Sequence, residues 1–238
     1  MSDIKNMTVE ETEIYAEFLR RRIIDAVKKN GGHLSSNLGA VEIILAMHRV
    51  FDAERDKFLF DVGHQAYTHK MLTGRLGDFD RLRQSDGLSG FPSPFESRFD
   101  AFVAGHSSTS LSLACGFLRA KKLKGGDYNI IALVGDGAMT GGMVYEALND
   151  LRTIGGKVII ALNDNGCPYG EDGARVSGFA DYLNDIKNKK VSKPFEEYGI
   201  DYMGVVNGHD VSKLTEAFEE AAQNERSVIV HIVTKKGK

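Results

Sequence analysis

Tryptophan is absent from this sequence, proline occurs 4 times in 238 residues and cysteine only twice. Cys115 and Cys167 stand far apart and outside any CxxC or other metal-binding spacing, which excludes a disulfide framework and a thiolate metal centre. Neither sign of charge prevails. Lys and Arg number 30 against 33 Asp and Glu, a formal net charge of -3, so there is no electrostatic case for nucleic acid or an anionic membrane as partner. No apolar run approaches the length of a transmembrane span, and the opening MSDIKNMTVEE lacks the layout of a signal peptide. Internal repeats, low-complexity tracts and linkers are also missing. These absences leave the expectation of a soluble, cytoplasmic chain folded as a single domain over 1–238, long enough for a substantial α/β core.

The stretch that is present in force runs from Asp127 to Tyr169. Ile130 to Val134 and Val158 to Leu162 are short apolar runs rich in β-branched residues. Between them Met139, Met143, Ala147, Leu148 and Leu151 recur at helical spacing, and Gly155-Gly156 closes the segment. A strand-helix-strand unit of this length makes its strands parallel, so both end at the same sheet edge. Asp136 follows the first strand and Asn163, Asp164 and Asn165 the second; they lie roughly 5 Å apart if the strands are neighbours, about 10 Å if another strand intervenes. Gly-Asp-Gly lets the backbone turn into a helix whose first N–H groups attract phosphate. A carboxylate converging with a side-chain amide suits Mg²⁺ better than zinc. The pattern reads as a Mg²⁺-diphosphate cradle. The plainer alternative is a helix cap at Asp136 and a simple turn at Asn163 to Asn165.

Elsewhere, Thr8 with Glu11 three residues on forms a capping-box pattern before an apolar stripe of Ile14, Phe18, Leu19, Ile23, Ile24 and Val27. Asn37 is a candidate N-cap for a buried helix over Val41 to Val50, with His33 in the preceding loop and His48 structural within the helix. Lys57 to Asp61 reads as a strand followed at once by His64, where open α/β sheets bind ligands. Tyr67 to Leu72 reads as a short helix, and His64 and His69 do not make an HExxH zinc pattern. Residues 75 to 104 form a long loop carrying Phe91, Phe95 and Phe99, of the kind that is often functional. Ser107 to Ser110 open an Ala- and Gly-rich helix, as caps or as phosphate donors. Gly166 to Asn188 is expected to be a loop over the site, with Lys187, Lys189 and Lys190 solvated. A short helix from Pro194, a strand over Asp201 to Val206, a helix over Val211 to Asn224 capped by Asp210, and a buried strand over Ser227 to Val233 complete the reading.

Gly135-Asp136-Gly137, with Asn163-Asp164-Asn165 one unit later, resembles the thiamine diphosphate motif, GDG closed by NN or NDN. Longer strings narrow the resemblance. GGHLSSNLGAVE, FDVGHQAYTHKMLTGR, GLSGFP, GHSSTSLS, GDGAMTGGMVYEALN, FEEYGIDYMGVVNGHDV and HIVTKKGK are similar to the N-terminal half of 1-deoxy-D-xylulose-5-phosphate synthases, within the transketolase superfamily. The resemblance covers nearly the whole chain. It implies a three-layer α/β/α fold with a mostly parallel central sheet, and thiamine diphosphate and Mg²⁺ as cofactors. By the same resemblance Asp136 and Asn165 bind Mg²⁺ through their side chains, with the backbone carbonyl of Cys167 as third ligand. Gly135, Gly137 and Ala138 meet the diphosphate, with Gly105, His106, Ser107 and Asn165 close by. His33 and His64 lie near the reactive carbon, for proton transfer and hydrogen bonding to the donor carbonyl.

That family places its cofactor between two domains, the second of which carries an activating glutamate, and this second domain is not in the sequence. The synthases also have a longer excursion after the NDN turn, where only a short loop joins Tyr182 to Lys193 here. The resemblance therefore implies the N-terminal subunit of a split, transketolase-like transferase acting on small sugar phosphates or pyruvate. A second polypeptide would bring the pyrimidine-binding and C-terminal domains, in a dimer of heterodimers. Alternatives are an isolated N-terminal domain of a synthase, or a non-catalytic scaffold subunit of the same fold. A nicotinamide dehydrogenase is excluded, because Gly135 to Thr140 lacks the third glycine of GxGxxG and its acidic residue would repel a bare pyrophosphate.

Overall fold

A computed structural model describes residues 4–166 and 178–238. Five short, mainly apolar runs become strands: β1 (Lys57–Phe60), β2 (Ile130–Gly135), β3 (Ile159–Asp164), β4 (Asp201–Asn207) and β5 (Val228–Val233). They form one sheet in the order β1-β2-β3-β5-β4, and every pairing is parallel. β2 and β3 are direct neighbours with Gly135 opposite Asn163, so the shorter of the two expected separations holds.

The helices are α1 (Val9–Asn30), α2 (Leu34–Leu38), α3 (Val41–Val50), α4 (Tyr67–Lys70), α5 (Ser110–Lys124), α6 (Gly142–Ile154), α7 (Phe179–Lys187) and α8 (Val211–Gln223). Alternate strand residues face opposite sides. Ile131, Leu133, Ile159, Ala161, Val228 and Val230 enter a core with α1, α3 and α8. Ile130, Ala132, Val134, Ile160, Leu162 and Ile229 enter a second core with α5, α6 and α7. The result is the expected three-layer α/β/α architecture. The chain crosses from β1 through β2 to β3 with α5 and α6 on one face, and returns from β4 to β5 through α8 on the other. Right-handed crossovers require that change of face when the direction of travel reverses. No helix among the described residues is long and apolar enough to cross a membrane.

Two caps follow the sequence closely. Glu11 N–H donates to Thr8 Oγ1 at 3.2 Å while Thr8 N–H donates to Glu11 Oε2 at 2.7 Å, and Lys213 N–H donates to Asp210 Oδ1 at 3.0 Å. Other expectations need correction. Ile14 and Phe18 are 65% and 42% exposed, because α1 turns the narrower stripe of Ala16, Leu19, Ile23 and Val27 inward. Asn37 caps nothing; it lies inside α2 with its side chain drawn between two backbone segments. The helix expected over Tyr67 to Leu72 gives way after Lys70 to a π-helical turn, Met71–Arg75, ended by Gly74 at φ 91°. The stretch expected as a loop contains α7, whose Phe179, Leu183 and Ile186 recur at i, i+4 and i+7 and pack on the second core. That periodicity was masked by the polar residues around it. The short helix from Pro194 is only a 3-10 turn, Glu196–Tyr198.

Candidate active site

The C-terminal ends of β1, β2 and β3 carry the candidate site. After β1 the backbone turns sharply at Val62 (φ 58°) and Gly63 (φ 86°). A Cβ on Gly63 would lie 2.6 Å from Ala104 Cβ and 2.7 Å from Pro92 Cδ, so only glycine fits this approach. The turn delivers His64 beside His33, ring centroids 5.3 Å apart and planes at 64°, with the Phe91 ring 5.7 Å from His33. Buried Asn37 ties the two together. Its Nδ2 donates to the carbonyls of His33 and His64, both at 2.6 Å, and its Oδ1 accepts Tyr67 N–H at 3.0 Å.

The Nδ1 atoms of both imidazoles are buried and have no hydrogen-bond partner among the described residues. Burial first, then the charges of His33 and Lys236, push the His64 imidazole down to about 4 against an upward pull from Asp61. Burial and the Arg83 charge lower that of His33. Both rings are thus neutral near pH 7, each with one N–H and one lone pair, the state suited to passing a proton. Unsatisfied buried nitrogens are costly in a structural role and useful toward a ligand.

Hydrogen bonds join β1 to the Gly-Asp-Gly turn. Asp61 accepts the Ser108 and Ser110 N–H groups at 2.7 and 3.0 Å and the Ser110 hydroxyl at 2.7 Å, fixing the start of α5. Ser108, at φ 68°, donates its hydroxyl to the Ala138 carbonyl at 2.8 Å. Gly141 makes room for that clasp, since a Cβ there would meet Ser108 Oγ at 2.1 Å. Gly105, His106 and Ser107 lie exposed just before α5. Asp136 is 3% exposed; its Oδ1 accepts Gly137 N–H at 2.8 Å, and its N–H donates to the Asn163 carbonyl at 3.1 Å. The helix does not follow directly as expected: a 3-10 turn, Ala138–Thr140, precedes α6.

At the end of β3 the three consecutive polar side chains separate. Asn163 Oδ1 accepts the Thr234 hydroxyl at 2.6 Å, and Asp164 pairs with His231 and Lys187 at 3.0 and 2.8 Å. Asn165 keeps a buried Oδ1 with no hydrogen-bond partner among the described residues. Lys187 is therefore not simply solvated, as its neighbours had suggested. Cys167 lies outside the described residues, as does part of the loop expected over the site. Among the described residues no group of three or more His, Cys, Asp or Glu is placed to hold a metal ion by itself. The sequence reading missed Asp61 and Lys236 and gave Asn37 a different role. Asp61 had a signal, a carboxylate at a strand end; the role of Asn37 had none, since its partners lie in separate segments.

The family model for 1-deoxy-D-xylulose-5-phosphate synthase matches residues 1–194 and 183–234. The 1-deoxy-D-xylulose-5-phosphate synthase of a Nitratiruptor species is 46% identical over 268 aligned residues, covering 99% of this chain and 45% of the relative. That of Clostridium tetani is 43% identical over 275, covering 99% of this chain and 44% of the relative. The chain thus spans less than half the length of these relatives. Two solved transketolases share the fold. That of Campylobacter jejuni superposes with a TM-score of 0.78 at 23% identity, covering 98% of this chain and 39% of its own. That of Leishmania mexicana gives 0.76 at 21%, covering 95% and 37%. The alignments to the synthases exceed the 238 residues present here, and the family match divides at 183–194, so the relatives' additional residues fall in the β3–β4 connection. With its whole described sheet and both cores inside these matches, the chain belongs to the 1-deoxy-D-xylulose-5-phosphate synthase family.

Proposed function

We propose that this chain binds thiamine diphosphate and Mg²⁺ as the N-terminal subunit of a transferase. The enzyme would move a two-carbon ketol unit from a ketose phosphate or pyruvate to an aldose acceptor. The observation that carries this reading is the set of buried polar atoms without a partner among the described residues at one sheet edge: Nδ1 of His33 and His64, and Oδ1 of Asn165. They stand beside a Gly-Asp-Gly turn that hydrogen bonds connect to all three strand ends. A carboxylate and an amide oxygen are hard donors that fit Mg²⁺, and among the described residues too few ligands gather to complete its shell. Such a cation normally shares its coordination with phosphates.

In this reading Asp136 and Asn165 hold the cation, with the Cys167 carbonyl as third protein ligand. Gly135 and Gly137 let the backbone approach the diphosphate, with Ala138, Gly105, His106 and Ser107 around it. The cofactor, when bound, supplies the carbanion chemistry. His33 and His64 remain neutral, give or take a proton at the donor carbonyl, and with Phe91 keep water from that point.

A second polypeptide would complete the site with the pyrimidine-binding and C-terminal domains, in a dimer of heterodimers. The shortened β3–β4 connection favours this two-chain form, because it sets the chain apart from its single-chain relatives. Calorimetric titration of thiamine diphosphate with Mg²⁺, with and without a candidate partner, tests the proposal. Binding that is tight only with both chains supports it, and absence of binding in both cases refutes it. Ketol transfer by this chain alone would refute the two-chain part.

A further inference from the structure

Two of the three polar side chains ending β3 are tied to β5, one on each face of the sheet. Asn163 takes the Thr234 hydroxyl, while Asp164 turns toward the core that holds α7. Asp164 is 2% exposed and fully occupied. Its Oδ1 accepts Gly166 N–H at 3.0 Å, and its Oδ2 lies 3.0 Å from His231 Nε2 and 2.8 Å from Lys187 Nζ. His231 is itself buried, with Tyr202 Oη 2.8 Å from its Nδ1. Gly204 lies opposite it in register, where a Cβ would come within 2.8 Å of the His231 carbonyl oxygen. Between these fixed neighbours and Gly166 (φ 69°), only the Asn165 side chain is left with an unsatisfied oxygen.

Lys187 is the last residue of α7 and lies where the family match divides. It belongs to the connection that is shorter here than in the relatives. We propose that Lys187 is a positioning residue: by pinning Asp164 it locks the 163–166 turn so that Asn165 Oδ1 faces the cation and diphosphate. The shortened connection thereby acts as a strut across the back of the site, joining α7 to the cofactor turn. This inference rests on the reading of Asn165 as a cation ligand. The mechanism is ordinary electrostatics. A 27% exposed ammonium 2.8 Å from a buried carboxylate gives a charge-assisted, directional restraint in addition to the His231 contact.

The test compares the full chain with Lys187→Met, Lys187→Arg and Asp136→Ala. Mg²⁺ with thiamine diphosphate is titrated calorimetrically, with the partner chain present if binding requires it. In parallel, amide exchange of the 159–166 segment is followed by mass spectrometry and melting by circular dichroism. Lys187→Met is expected to weaken binding about 10-fold or more, as removal of a ligand-orienting group does. It should speed exchange at Gly166, whose N–H is held by Asp164, and Lys187→Arg should restore both while melting stays nearly constant. Binding and exchange in Lys187→Met that match the wild type would overturn the inference. So would a loss of binding that merely tracks a fall in melting temperature and is not rescued by arginine. If Asp136→Ala loses binding while Lys187→Met keeps it, only the strut fails. If the wild type binds nothing, the cofactor reading and this inference toward it fall together.

Discussion

Two pairs of histidines sit in this molecule at almost the same spacing, with opposite fates. His48 and His69 have ring centroids 5.1 Å apart, and those of His33 and His64 are 5.3 Å apart. The first pair is closed. His48 Nε2 meets His69 Nδ1 at 2.9 Å, Phe58 and Phe60 enclose the rings at 4.8 and 4.9 Å, and His69 Nε2, which makes no hydrogen bond among the described residues, still has the Asp100 carboxylate 3.3 Å away. The second pair is open, each ring keeping an unpartnered nitrogen at the end of the sheet. Burial lowers all four imidazoles, so titration alone does not separate the pairs. What separates them is the bond between rings: His48 and His69 share one, whereas Nδ1 of His33 and of His64 has no partner among the described residues.

The sharpest way to break the contrast is to open the closed pair. Asp100 holds Arg75 through two bonds of 2.7 and 2.8 Å and also accepts Ser93 N–H. Asp100→Ala strands a buried guanidinium beside Glu96 and Lys70, and is expected to cost about 3–5 kcal/mol in urea denaturation. Next comes His64→Ala, expected to change stability by no more than about 1 kcal/mol. Turnover by the proposed two-chain enzyme should fall about 100-fold. His69→Ala should show the reverse. Kinetics beside thermal melts decide this, and equal destabilisation by both substitutions would end the comparison.

A smaller effect is read from pH. Since His64 falls from its ordinary value near 6.5 to about 4 in the fold, the unfolded chain binds its proton first as pH drops. The stability it contributes is present above about 6.5 and is lost as pH falls toward 4. His64→Gln should lessen the pH dependence of the denaturation midpoint across that window, leaving the share of His33, His48 and His69. The smallest effect concerns Phe91→Ala. Admitting water to His33 should move its titration, followed by NMR, back toward the ordinary imidazole range, and leave His48 where it is.

These contrasts also show what a sequence discloses. The parallel β2-α6-β3 unit, both caps and the placement of Asp136 and Asn165 at one sheet edge were all legible, because each depends on residues close in the chain or on one strand-helix-strand step. His33 and His64 were legible from their positions after glycine turns and strand ends, and gained force from the family resemblance. Asn37 was misread because its partners, the carbonyls of His33 and His64, belong to different segments. Lys187 looked like one of three solvated lysines because the partner that buries it, Asp164, lies 23 positions earlier at a strand end. Helix α7 was hidden for a related reason: three apolar positions among polar ones are a weak signal until a core stands opposite.

The all-parallel sheet also governs when the site comes into existence. Asp61 reaches Ser108 and Ser110 across 47 and 49 positions, Asp56 reaches Asn129 across 73, and Asn163 reaches Thr234 across 71. Helices such as α1 and α8 draw on neighbours in the chain and can form in microseconds, whereas each of these closures waits on a long loop. A refolding chain should therefore regain its helical signal well before it can hold a cofactor. Competence arrives only when β5, the last strand in the chain, slides between β3 and β4.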